Sequence, residues 1–108
     1  MRVSIRSFSK VDVIRRVEGS GELVLGIRDD LAWGEDAHLF MITQKIDAYL
    51  KFIDSGQYLH HADATPDDRV RIELVATHEP DKKALDFLFD LGARLAKRGL
   101  AFTYKVDT

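Results

Sequence analysis

Residues 29–57 decide the fold and read DDLAWGEDAHLFMITQKIDAYLKFIDSGQ. Six apolar residues recur there at helical spacing: Leu39, Ile42, Ile46, Tyr49, Leu50 and Ile53. Steps of three and four residues keep such side chains on one face of an α-helix. Glu35 and Asp36 place negative charge in the first turn, and Gly56 is a typical stop signal. The stretch therefore predicts a helix that begins near Glu35, ends before Gly56 and packs its apolar face on the core.

A β-hairpin is predicted before this helix. Residues 11–17 and 22–28 are rich in Val, Ile and Leu, and the four residues between them include Gly19 and Gly21. Glycine readily adopts the positive φ that a tight hairpin turn requires. Alternation directs one set of side chains to the core and another outward. The core set is Leu23, Leu25 and Ile27, opposite Val11, Val13 and Val17, and the outward set is Glu22, Val24 and Arg28.

A strand, a second helix and a final strand are predicted after a surface loop at residues 58–68. The strand is expected at residues 69–77, the helix at 80–98 with Pro80 in its first turn, and the last strand at 100–107. The inward face of the second helix combines Ala84, Leu88, Leu91 and Leu95 with a second row, Leu85, Phe89, Gly92 and Ala96. In the last strand, Phe102 and Tyr104 alternate with polar residues, which favours core packing.

These elements predict an α+β fold with the order β-β-α-β-α-β. Because the strands alternate polar and apolar residues, one sheet face should be covered and the other wet. We expect a two-layer sandwich with a four-stranded mixed sheet, two helices on one face and the last two strands parallel. Strand order stays open. Residues 1–108 should form a single domain, with residues 1–9 as a flexible or edge-strand extension.

The amino-acid composition predicts a folded globular domain. The chain has 108 residues, of which 45% are hydrophobic and 31% charged, as in ordinary globular proteins. It has no cysteine, which excludes disulfides, thiolate nucleophiles and cysteine-based metal sites. No apolar run reaches membrane-spanning length, and the first residues lack a signal-peptide pattern. We therefore expect a cytoplasmic protein without a membrane interaction or a cofactor.

Charge is segregated along the chain. Residues 29–68 carry nine acidic and two basic side chains, whereas the flanking segments are mildly basic. The isoelectric point is near 6.0, and a phosphate-binding face would raise it well above neutrality. Nucleic-acid binding is thus disfavoured, and a protein partner or a second copy of the chain fits better.

The residues around the helix entry are the first candidate site. Helix capping explains part of the acidic charge there but leaves a remainder that a partner could contact. We predict partner binding by Asp29, Asp30, Trp33, Glu35, Asp36 and His38, with Trp33 closing the end of the core. Phe40, Met41 and Phe52 lie partly off the helix stripe and could form a second apolar surface.

The loop after the helix holds the second candidate site. His60, His61 and Asp63 are residue types that bind zinc or manganese, and Asp67 and Asp68 follow closely. No His-x-x-x-His pair on a helix supports them, so a solvated acidic loop is the favoured interpretation. A metal site made of His60, His61 and Asp63 is the alternative.

One stretch resembles a known family. The residues that carry the resemblance are the acidic-Leu-x-Trp turn ending at Trp33, His38-Leu39, Lys45-Ile46, Tyr49-Leu50 and Ser55-Gly56-Gln57. They are similar to those of a family of small bacterial domains of unknown function. The resemblance implies a single α+β domain and brings no activity with it.

Two classes of function remain open. A non-catalytic interaction module of regulatory, adaptor or immunity type, which could be a homodimer, is favoured by the acidic middle segment and the aromatic residues off the stripe. The alternative is a small metal-dependent enzyme that uses loop histidines and carboxylates as ligands, acid or base.

Overall fold

The predicted β-β-α-β-α-β order is confirmed in residues 13–60 and 64–107, the part of the chain that the computed structural model describes. The elements are β1 (Val13–Arg16), β2 (Leu23–Asp29), α1 (Asp36–Asp54), β3 (Val70–Ala76), α2 (Lys82–Ala96) and β4 (Ala101–Val106). A single 3-10 turn at Gln57–His60 occupies the start of the predicted loop. The predictions for residues 1–9 and for Val11 lie outside the described residues.

The sheet is mixed, and its strand order is β1-β2-β3-β4. β1 pairs antiparallel with β2, whereas β2 with β3 and β3 with β4 are parallel. Each parallel connection contains one helix, so the carboxyl ends of β2, β3 and β4 meet at the same edge of the sheet. This edge carries the first candidate site.

Both helices cover the same face of the sheet. Leu25 of β2 and Leu74 of β3 share one buried cluster with Ile46 of α1 and Leu91 of α2. The two-layer α+β sandwich is thereby confirmed. Among the described residues, no helix is long and apolar enough to span a membrane.

The hairpin turn forms as predicted, but its register differs. Gly19 and Gly21 adopt φ values of 89° and 73°, which the turn requires. Arg16 pairs with Leu23, and Ile14 therefore lies opposite Leu25, while Val13 lies opposite Gly26. Val17 donates a backbone hydrogen bond to Glu22, of the predicted outward set. The predictions for Val13 and Val17 were wrong because the turn, and not the valine pattern, sets which residues share the core face.

The ends of the two helices lie close to their predicted positions. α1 ends as predicted, with Gly56 at a φ of 81° just after the cap residue Ser55. α2 begins later than expected, because Asp81 is its N-cap and accepts a hydrogen bond from the Ala84 backbone N–H at 2.8 Å. Pro80 thus precedes the cap instead of opening the helix.

A buried hydrogen bond fixes the middle of α1 to the sheet. The hydroxyl of Tyr49 donates to the backbone carbonyl of Gly26 in β2. Tyr49 is fully buried together with Ile42, and Lys45 is fully buried as well, with its ammonium 5.6 Å from the centre of the Tyr49 ring. The stripe predicted for α1 is therefore its core face, which also takes in a lysine that the pattern did not indicate.

We predict that Tyr49→Phe lowers the free energy of unfolding by about 0.5–1.5 kcal/mol, because it removes a buried hydrogen bond between helix and sheet. Urea denaturation followed by circular dichroism measures the change. Tyr104→Phe is the matched control, since Tyr104 is well exposed, and it should shift stability by less than about 0.5 kcal/mol. Equal effects of the two substitutions would contradict the assigned role of Tyr49.

Candidate functional site

A buried acid–histidine pair lies at the carboxyl edge of the parallel strands. Asp29 is the last residue of β2, and His38 lies in the first turn of α1. The Oδ2 atom of Asp29 is 2.5 Å from Nε2 of His38, and both side chains are almost fully buried. The other oxygen of Asp29 accepts a hydrogen bond from the Leu31 backbone N–H at 3.1 Å. The pair therefore fixes the turn between strand and helix.

Trp33 covers this pair. Its indole ring stacks on the imidazole of His38 with the ring centres 4.1 Å apart and the planes 24° from parallel. The indole N–H donates to the backbone carbonyl of His78, just beyond β3, at 2.8 Å. Trp33 also packs on the main core, as predicted. The tryptophan thus links the β2–α1 turn to the β3–α2 connection.

The arrangement of His38 is that of a structural residue. Its Nδ1 lies 3.2 Å from the carbonyl of Ala32, and its Nε2 faces Asp29. A general acid or base needs a ring nitrogen within hydrogen-bond reach of the substrate. Both nitrogens of His38 are instead held against protein oxygens under the Trp33 ring, so the pair stabilises the fold.

The structure brings only part of the first candidate site together. Asp29, Trp33 and His38 form the buried cluster, whereas Asp30 is partly exposed and Glu35 fully so. Asp36 is exposed as well, and its carboxylate accepts a hydrogen bond from Lys83 of α2 at 2.5 Å. The hydrogen bond and charge of Lys83 hold the pKa of Asp36 below its ordinary value. Partner binding by the exposed members stays a prediction.

The second candidate site lies partly outside the described residues. His60 is exposed at the end of the 3-10 turn, while His61 and Asp63 are not among the described residues. Within residues 13–60 and 64–107, no three His, Asp or Glu side chains are close enough together to hold a metal ion. The metal site of His60, His61 and Asp63 stays a prediction that this geometry does not support.

The outer face of the sheet carries a network of ion pairs. Arg15 of β1 reaches across β2 to Glu73 of β3 at 3.1 Å. Arg71 binds Glu73 at 3.1 Å and Glu22 at 3.0 Å. Val24, predicted to face outward, lies on this face but is fully buried. The wet face expected from alternation is therefore covered in part by long charged side chains.

Burial and ion pairing act in opposite directions on Glu73. Burial alone raises the pKa of its carboxyl group. Hydrogen bonds from Arg15 and Arg71 outweigh burial and hold the pKa below its ordinary value of 4.5. The folded protein thus favours the ionised form of Glu73 over most of the pH range.

An open apolar groove of about 740 Å³ lies between α2 and β4. Its wall includes Leu85 and Phe89 of α2, and its floor includes Phe102 and Tyr104 of β4. Phe89 is 83% exposed and Tyr104 is 42% exposed. At Gly92, a methyl group would lie 3.7 Å from the Phe102 ring, so this turn of α2 packs closely on β4.

The prediction that the second apolar row of α2 packs inward was wrong for Leu85, Phe89 and Ala96, which are exposed. The main row, Ala84, Leu88, Leu91 and Leu95, fills the contact between the helix and its own sheet. The second row points past β4, because no further strand extends the sheet on that side in the described part of the chain. The signal was available in the sequence, since the apolar arc of α2 is wider than one helix–sheet contact needs.

The fold and these surfaces define a small two-layer α+β domain. It has a buried polar cluster of Asp29 and His38 at the carboxyl ends of the parallel strands and an apolar groove between α2 and the outer strand β4. The chain belongs to DUF6572, a family of unknown function that matches residues 3–108. The resemblance to a family without an assigned activity is confirmed. No curated protein and no solved structure matches the chain.

We predict that Asp29→Ala lowers the free energy of unfolding by about 1–3 kcal/mol, because it leaves a ring nitrogen of His38 buried without its hydrogen-bond partner. Chemical denaturation measures the loss, and a change in Trp33 fluorescence should accompany it. Glu35→Ala is the control: Glu35 is exposed and makes no side-chain capping bond, so its loss should cost less than about 1 kcal/mol. A stability near wild type for Asp29→Ala would refute the structural role.

A pH dependence follows from Glu73. Since its folded pKa is depressed, the ionised carboxylate stabilises the fold above pH 4.5, its ordinary pKa, and this contribution is lost as the pH falls through the folded value. We expect Glu73→Gln to cost about 1–3 kcal/mol at neutral pH and less in strong acid. Denaturation series at neutral and acidic pH measure the difference, and an equal cost in both would contradict it.

Proposed function

We propose that this domain is a non-catalytic protein-interaction module of the bacterial cytoplasm and that it docks through the groove between α2 and β4. One observation carries the proposal: Phe89 is 83% exposed beside an edge strand. Exposed apolar patches of this kind mark interaction sites on small domains. A regulatory, adaptor or immunity-type role suits such a module.

The chemistry of the groove favours a polypeptide partner. Asp86 is the one charged residue that lines it within the described chain, so the groove offers no cation for a phosphate group. The edge of β4 offers backbone N–H and C=O groups instead, which bind another extended chain by strand addition. Apolar side chains of that partner would fill the space beside Phe89.

The residues with catalytic potential have structural roles in this account. Asp29 and His38 satisfy each other under Trp33, and Glu73 is neutralised by Arg15 and Arg71. Groups held in this way stabilise the fold and do not act on a substrate. This supports the interaction module over the metal-dependent enzyme.

The exposed acidic residues predicted to bind a partner lie at the entry to α1, where Asp36 binds Lys83 of α2. We propose that Glu35, Asp36 and Asp30 add a polar rim to the docking surface. Polar rims around an apolar centre are usual in protein interfaces.

A photo-crosslinking amino acid placed at Phe89 tests this proposal in cells. Position 89 should yield a discrete protein adduct, because the side chain lies in the docked interface. Phe40 is the matched control, since it is an exposed helical phenylalanine, 61% exposed, that does not line the groove. The adduct band at position 89 is identified by mass spectrometry.

The outcome is decided by comparison of the two positions. A protein adduct at position 89 that is absent at position 40 supports the groove as the docking surface. An absence of protein adducts at position 89, or the same adducts at both positions, would contradict the proposal.

A further inference from the structure

We propose that the occupant of the groove is a second copy of this chain, which pairs its β4 antiparallel with β4 of the first copy around a two-fold axis at Thr103. The inference rests on the proposed function, because it names the partner of the same groove. The strand, the helix and the charges near β4 each support it.

Within residues 13–60 and 64–107, no strand occupies the outer edge of β4. In the described part of the chain, β4 has a neighbour on one side only, β3. The backbone N–H of Asp107 donates to the carbonyl of Ala76 at 2.8 Å. Since alternate residues of a strand bond to opposite sides, the amides of Phe102 and Tyr104 point to the outer edge. The segment AFTYKV has one charged residue and no proline to block pairing.

Symmetry restricts the register of such a pair. A two-fold axis perpendicular to the sheet keeps the helices of both copies on the same face. Residues that lie directly opposite each other must then direct their side chains to the same face of the sheet. One residue therefore lies opposite its own copy at the axis. An axis at Thr103 pairs Phe102 of each copy with Tyr104 of the other. Both residues direct backbone groups outward, and aromatic cross-strand pairs are favourable.

The helices fit the same axis. Strands lie about 4.8 Å apart, so two helices over four strands cover about two strands each, and α2 lies above β3 and β4. A 180° rotation of this position about an axis just outside β4 places the two α2 helices roughly 10 Å apart, within the usual packing range. Phe89 lies one turn from Gly92, close to this axis, and would be buried against its symmetry mate.

Charges favour the register at Thr103 over the register at Tyr104. With the axis at Thr103, Asp107 of each copy lies opposite Gly99 of the other, beside the exposed basic residue Lys97. The neighbouring Arg98 is paired with Asp54 of its own chain. With the axis at Tyr104, Asp107 would lie opposite Ala101, away from Lys97. The Thr103 register therefore brings opposite charges together at both ends of the strand pair.

A second copy also covers more than a separate peptide strand would. A single strand would pair with β4 and could cover the second row of α2 only with its own side chains. A second copy brings its own α2 with its own β4, and both sets of apolar residues are covered at once. The shape of the surface, a helix overhanging an edge strand, is thus self-complementary.

Single cysteines test both the dimer and its register, because the chain has no cysteine of its own. Thr103→Cys should form a disulfide-linked dimer under mild oxidation, since self-opposed Cα atoms at a non-hydrogen-bonded position lie about 4.5 Å apart. Lys105→Cys is the control on the same strand and face. Its two copies would be about 14 Å apart, too far for a disulfide. Non-reducing electrophoresis separates the results.

Light scattering on a sizing column gives the mass of the unmodified protein and of Phe89→Asp. We expect a dimer for the wild type and at least about a tenfold weaker dimer for the variant. Because Phe89 is 83% exposed, the variant should keep the circular dichroism spectrum of the folded chain. Phe40→Asp should leave the dimer intact.

Each result has one consequence. A disulfide at position 103 that is absent at 105, together with a dimer weakened by Phe89→Asp, supports the proposal. A monomeric wild type, or equal crosslinking at the two positions, overturns it. If the protein is monomeric yet a different protein crosslinks to position 89 in cells, the docking function stands and the second copy is wrong. If neither association occurs, both proposals fail.

Discussion

The buried contact between Asp29 and His38 is the constraint on which the rest of the structure depends. It fixes the start of α1 at the carboxyl end of β2, and the Tyr49 hydroxyl attaches the same helix to the middle of β2. The helix must then run back across the sheet, and the chain re-enters it as β3 parallel to β2. Trp33 closes this corner by a hydrogen bond to the segment that follows β3.

The open groove follows from that arrangement. With α1 placed over β2, the second crossover puts α2 beside it and β4 at the margin of the sheet. Two helices are about as wide as four strands, so in the described part of the chain no strand lies beneath the outer row of α2. Phe89 and Tyr104 stay exposed for this reason. The polar network on the other face, by contrast, is internally neutralised.

Local features were predictable from the sequence, and contacts between distant segments were not. The spacing of apolar residues in α1 and the glycines of the hairpin are short-range signals, and both elements formed as expected. Val24 is buried because the Arg15 side chain crosses β2, and the hairpin register is set by the geometry of the turn. The periodicity of apolar residues indicates neither of these features. Trp33 was correctly placed at the end of the core. The wide apolar face of α2 does not by itself show whether Phe89 contacts its own sheet or another chain.

Residue-resolved amide exchange at two protein concentrations shows whether a second copy covers the edge of β4. The amides of Phe102 and Tyr104 point outward, whereas those of Thr103 and Lys105 face β3. Protection of the outward amides should rise with protein concentration, while the inward amides stay protected throughout. Rapid exchange of the Phe102 and Tyr104 amides at every concentration would contradict it.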